Sequence, residues 1–279
     1  MQHDMDLVQM TLITPMAAMH GSTHGGRAKC LQRLIRLDMP VPRTVALPFP
    51  TVRAIAQGQM PDLNMLLAEF DGDALLSVRP SSQDPDWGGP GAILNIGMND
   101  AHHATLSTTL GETAATALYV RFLQAYAVDV AHLDPDEFET DQTDAATLDR
   151  LLAAYKDEAD EPFPQDPARQ LAGVLSSMAR AWEGTSARIL REARGAPADA
   201  GLGLVVQEMA LGVGPAESGS GVIQFVSSDT GEAIVTGRYL SQSQGRDAIA
   251  GTEGAIYLTR DDRGPSLEEL CPGVFADLL

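Results

Sequence analysis

Leu75-Leu76-Ser77-Val78-Arg79 is followed by Ser81-Ser82-Gln83-Asp84-Pro85-Asp86-Trp87-Gly88-Gly89-Pro90-Gly91 and then by Ala92-Ile93-Leu94-Asn95-Ile96-Gly97. The stretch reads as an apolar strand that delivers one arginine to its end, a glycine-rich loop, and a second apolar run. Arginine suits anion recognition because its planar fork donates two parallel hydrogen bonds to a phosphate or carboxylate. Glycines in the following loop let backbone N–H groups approach an anion closely. Taken alone, the stretch is read more simply as a surface turn after a strand whose arginine pairs with a carboxylate. The rest of the chain has to decide between the two.

Composition sets outer bounds. A length of 279 residues suits one large domain or two modest ones, and the balance of apolar and polar residues is that of a globular protein. The net charge of −19 opposes binding to nucleic acid or an anionic membrane, and no basic patch stands out along the chain. Cys30 and Cys271 are far apart and form no CxxC pair, so they are expected to be reduced thiols rather than zinc ligands or a disulfide framework. No apolar run is long enough to span a bilayer, and MQHDMDLVQM lacks the features of a signal peptide, so a cytoplasmic location is expected.

From Gly25-Gly26-Arg27-Ala28-Lys29 the pattern becomes amphipathic, with Cys30, Leu31, Leu34, Ile35 and Leu37 at helical spacing. Two glycines thus open a helix carrying Arg27 and Lys29 near its start, where free N–H groups and the helix dipole favour anions. A solvated basic face is the equally simple alternative. Met39-Pro40-Val41-Pro42 ends the helix, and Thr44-Val45-Ala46-Leu47 is a short strand. His102 and His103 are adjacent and point apart, so they are not expected to share a metal ion.

A long helix from about residue 112 to 130 buries Tyr119, Phe122, Leu123 and Tyr126, and a further helix is expected over about 145–157. Asp166 and Pro167 read as the N-cap and first position of a helix running through Leu171, Val174, Leu175, Met178 and Trp182. Beyond residue 200 the chain turns to strands, with Val222–Val226 and Ala233–Thr236 forming a hairpin across Ser228-Asp229-Thr230-Gly231.

Several stretches in register resemble the N-terminal nucleotide-binding region of pyruvate phosphate dikinase, an ATP-grasp-type domain shared with phosphoenolpyruvate synthase. They are Gly25-Gly26-Arg27-Ala28-Lys29, Pro40-Val41-Pro42, Ser77-Val78-Arg79 with Leu94–Asp100, Arg121–Tyr126, Phe163–Pro167, Val206-Gln207-Glu208-Met209, Ser218–Val222, Thr230-Gly231-Glu232, and Tyr239-Leu240 with Gln244-Gly245. Each match is weak, but nine in order are strong.

The resemblance implies an α+β fold: an ATP-grasp-like two-lobed domain with a helical insertion and a truncated, mainly β second lobe. The lobes are expected as 1–100 and 165–200 for the first, 101–164 for the insertion and 201–279 for the second. It also implies functional positions. Arg27 stands where the family has a phosphate-binding lysine, and Arg79 matches the family's phosphate-binding arginine. Gly88 falls on the loop glycine, while Ala92 replaces a threonine and Gly91 an aspartate. Gln207, Glu208 and Met209 fall on the segment lining the adenine pocket. Arg238 and Arg246 occupy positions that are acidic in the family.

Beyond the point where this sequence ends, the family continues into strands bearing an acidic metal-binding pair, so magnesium is left without those carboxylates. The implied ligand is therefore ATP, another nucleotide or a phosphorylated molecule held between the lobes, with Arg238 and Arg246 replacing a metal. Full kinase activity by this chain alone is not expected. The alternatives are a kinase subunit completed by a separate chain, or a non-catalytic regulatory protein. An exposed sheet edge left by the truncation makes a homodimer the expected assembly.

Overall fold

The computed structural model describes residues 9–215, 217–244 and 254–279, which form an α+β fold of two compact units. One unit runs up to Leu106 and resumes over Ala115–Met209; the other comprises Ser107–Ala114 and Ala210–Leu279.

The first unit begins with β1 (Thr11–Leu12), α1 (Gly21–Arg36), β2 (Thr44–Leu47), α2 (Phe49–Ala56), α3 (Leu63–Leu67), β3 (Leu76–Ser82) and β4 (Ile93–Ile96). Next come α4 (Asp100–Leu110) and α5 (Glu112–Ala125), the latter passing into a π turn at Tyr126–Val130. Then follow α6 (Pro135–Phe138), α7 (Ala145–Ala159), α8 (Pro167–Glu183), α9 (Thr185–Ala193) and β5 (Leu202–Glu208).

The sheet is antiparallel throughout, in the order β1-β2-β5-β3-β4. β5 lies at its centre, pairing Val205 with Ala46 on one side and with Arg79 on the other. Leu202, Leu204, Val205 and Val206 are all buried, which explains an apolar run without alternation. Residues 202–208, expected from the resemblance at the head of a second lobe, are hydrogen-bonded into this sheet.

α8 begins as its sequence dictates, with the Asp166 carboxylate accepting from Ala168 N and Pro167 in the first turn. Its buried stripe is Leu171, Val174, Leu175, Met178 and Trp182. α5 and the π turn bury Tyr119, Phe122, Leu123 and Tyr126. The Phe163 ring meets Tyr119, Phe122, Tyr126 and Tyr155 at centroid distances of 5.3–5.9 Å, in edge-on or tilted contacts that suit aromatic quadrupoles.

In the second unit β6 (Gly219–Val226) and β7 (Ala233–Ser241) form the expected hairpin, with β8 (Ile256–Tyr257) added to β7. Its turn closes through Ser227 N to Glu232 O and Gly231 N to Ser227 O. α10 (Leu267–Leu270) and α11 (Pro272–Leu278) follow. Among the described residues β6 is an edge strand.

One fully buried polar side chain ties the sheet to α8. Gln170 Oε1 accepts from Gly97 N at 2.8 Å, and its Nε2 donates to Met98 O at 2.9 Å and Pro164 O at 2.7 Å. Gln170→Leu strands one N–H and two carbonyls without water, so the expected cost is about 3 kcal/mol. Urea denaturation should show a lower midpoint at unchanged slope, and a loss below about 1 kcal/mol would refute this account of the residue.

Candidate functional site

The site is built where α1 meets β3. β3 does not end at Arg79 as the sequence pattern suggests; it continues through Pro80 to Ser82, because β5 pairs with it all the way to Leu202. Proline is tolerated at position 80 because β4 pairs with β3 only between Leu76 and Val78, leaving that side free of a ladder. Alternation along the strand places Ser77, Arg79 and Ser81 on one face. α1 docks on this face.

The Ser81 hydroxyl joins the two elements. It donates to His24 O at 2.7 Å and accepts from Ala28 N at 3.1 Å, bridging a break in α1 at Gly25. Gly25 has φ 83 and ψ 172, a conformation confined almost entirely to glycine, and a Cβ there would overlap the Ser81 carbonyl. Gly203 of β5 is constrained similarly: a Cβ would lie 2.7 Å from His24 O. Two glycines thus let three backbones converge.

That docking fixes Arg27, whose Nε donates to Pro80 O at 2.8 Å, beside Arg79 on the adjoining position. Both side chains are half-buried. Burial lowers the pKa of each from its ordinary value, and the charge of Arg79 lowers that of Arg27 further. Among the described residues neither guanidinium has a carboxylate partner. Two like charges are thus held together in partly desolvated surroundings in a chain of net charge −19.

The glycine loop lies against the same strand. Asp84 caps a short 3-10 turn at Pro85–Trp87, accepting from Asp86 N at 2.9 Å. Gly89 follows with its Cα face toward Trp182 and Pro80. Gly88 has φ 82, and a Cβ there would come within 2.5 Å of Arg194 Nη1. Arg194, just past the end of α9, therefore brings a third guanidinium to the loop. Sequence reasoning missed it, since nothing local ties a helix-terminal arginine to a loop more than a hundred residues earlier.

The remaining candidates are distributed elsewhere. Lys29 is two positions from Arg27, which on a helix turns it to another side; it lines a separate groove with His20, Arg33 and Arg36. The Gln207 amide is buried and donates to Thr44 Oγ1 at 2.8 Å, so it serves the sheet. Glu208 and Met209 are half-buried and anchored by main-chain bonds to Arg43 O and Leu75 O. In the second unit Arg238 stacks on Tyr257 at 3.9 Å and donates to Ala255 O. Arg246 lies outside the described residues.

His102 and His103 diverge, one to Gly97 O and the other to Thr116 Oγ1. Among the described residues no group of three or more His, Cys, Asp or Glu is placed to hold a metal ion.

Two outcomes test this geometry. Gly25→Ala should cost about 3 kcal/mol or more in urea denaturation, whereas Gly58→Ala, at similar φ but in open space, should cost only about 1; equal losses would show that the Ser81 contact is irrelevant. The His24 imidazole is buried beside Thr23 Oγ1, and burial followed by His20 holds its pKa below the ordinary 6.5. The unfolded chain therefore takes up the proton first. Its contribution to stability is full above pH 6.5 and falls as pH drops from there toward the folded pKa. His24→Asn should flatten that part of the profile.

No protein-family model matches the chain. Individual relatives do. A protein of Rhizobium meliloti (strain 1021) named pyruvate, phosphate dikinase is 29% identical over 297 residues, covering 91% of this chain and 33% of its own. The pyruvate, phosphate dikinase of Clostridium symbiosum is 29% identical over 274 residues, covering 85% of this chain and 31% of its own. Pyruvate, phosphate dikinase 1, chloroplastic, of Oryza sativa subsp. japonica is 33% identical over 217 residues, covering 70% and 23%. The chain spans about a third or less of the length of these relatives. By its sequence, the chain belongs to the pyruvate, phosphate dikinase family, as a relative of its members' N-terminal domain.

Proposed function

We propose that this chain is a nucleotide-binding module of the pyruvate phosphate dikinase type, with an ATP-grasp-like site whose phosphate-binding end is Arg27, Arg79 and the loop at Gly88. The observation that carries the reading is the pair of half-buried guanidiniums, Arg27 and Arg79, set side by side without a carboxylate among the described residues. A di- or triphosphate relieves their mutual repulsion and accepts charge-assisted hydrogen bonds from both forks. Arg194, beside Gly88, brings a third guanidinium to the loop.

Kinship supports the nucleotide as the ligand class. Phosphoryl transfer is a property of whole enzymes, of which this chain matches only a part, and function follows the site rather than the fold. Fixed arginines supply charge neutralisation at the phosphates without an ion. Binding is therefore expected with and without magnesium.

Calorimetric titration with ATP, ADP and AMP tests this directly. ATP and ADP should bind more tightly than AMP, and Arg79→Ala should weaken ADP binding at least about tenfold, the equivalent of one charge-assisted contact. Failure of all three nucleotides to bind, with or without magnesium, would overturn the assignment.

A further inference from the structure

Residues 7–37 contain no aspartate or glutamate, although the chain holds 38 of them, and the same stretch carries Arg27, Lys29, Arg33 and Arg36. Folding sorts these cations. Arg27 turns toward Pro80, whereas Lys29, Arg33 and Arg36 follow at helical intervals of four and three residues along another side of α1. There they line a groove of about 800 Å³ with His20 and Cys30, and no acidic residue contributes to its walls. The fold thus gathers three of these four cations on one side of α1.

The groove is held in shape by its own framework. Gln32 Nε2 donates to Thr14 O at 2.9 Å and Ala17 O at 2.6 Å, and Arg36 Nε donates to Pro15 O at 2.7 Å, pinning the opposite wall to the helix. Met19 anchors that wall in a buried cluster with Ile13, Ala28, Ala46 and Val205. Lys29 and Arg33 form no ion pair among the described residues. Two cations with no acidic partner among the described residues therefore stand one helical turn apart beside a fixed wall.

We infer that this groove is a second anion-binding site, separate from Arg27 and Arg79, which takes a compact organic ligand bearing at least two phosphate or carboxylate groups about one helical turn apart. Lys29 and Arg33 hold the two anionic groups, and the alanine and methionine wall accepts the ligand's body. The volume lies in the range of small-molecule sites. A net charge of −19 repels a long polyanion such as nucleic acid or an acidic membrane, but a small anion confined to the groove meets chiefly its local field.

Cys30 supplies the readout, because it is an exposed thiol within the groove, and Cys271 serves as an internal control. The full chain is alkylated with N-ethylmaleimide, and the rate at each cysteine is followed by peptide mass spectrometry with tripolyphosphate or citrate present. At a probe concentration about ten times its dissociation constant, occupancy should slow Cys30 about tenfold and leave Cys271 unchanged. Protection by tripolyphosphate alone identifies a phosphate ligand, and protection by citrate as well identifies recognition of either anion.

The double variant Lys29→Ala/Arg33→Ala, which keeps helix propensity, should abolish the protection, while Arg79→Ala should retain it. The site is refuted if neither probe slows Cys30, if protection survives the double variant, or if Arg79→Ala removes it. Since nucleotide binding is lost through Arg79 and groove binding through Lys29 and Arg33, the two assignments fail independently.

Discussion

A single hydroxyl organises the meeting of α1 and β3 in the first unit. Ser81 Oγ satisfies a carbonyl before the break in α1 and an amide after it, so the break costs no buried hydrogen bond. The contact requires backbones to approach more closely than side chains allow, and glycine at 25 and 203 provides that space. Everything else at the site is a consequence. With α1 held this way, Arg27 reaches Pro80 O, and strand alternation puts Arg79 beside it.

The electrostatic character of the molecule changes between scales. As a whole it is strongly acidic, and a net charge of −19 opposes the approach of extended polyanions. Locally, one helix concentrates cations on two sides with no carboxylate between them. On one side Arg27 meets Arg79 of β3, both half-buried and mutually repulsive; on the other a lysine and an arginine border a groove. A lone half-buried arginine is commonly neutralised by a carboxylate of its own chain. For Arg27 the sequence places no acid within residues 7–37, so its own stretch offers no such compensation.

Kinship and geometry bear on different questions. The relatives establish descent across most of the chain, although each match covers a third or less of the related protein. What a site can bind is set by its own side chains: arginine at 27 offers a planar fork, and alanine at 92 offers no hydroxyl. The Gln207 amide, bonded to Thr44, illustrates the difference, since a position matched by resemblance is occupied by an internal structural role.

What the sequence determines by itself is local and periodic. The start of α8 at Asp166-Pro167, the aromatic face of α5 and the hairpin of β6 and β7 are all legible, because capping, 3.6-residue spacing and turn chemistry act between neighbours. Tertiary structure decides the rest. β5 is expected at the opening of a second lobe; its pairing with β2 and β3 makes it the centre of the first sheet, and that same pairing carries β3 past Arg79. The bond from Ser77 to Gln207 spans 130 residues, and Arg194 meets Gly88 across more than a hundred. Such contacts leave no periodic trace, because they depend on which strand closes beside which and not on the composition of either stretch.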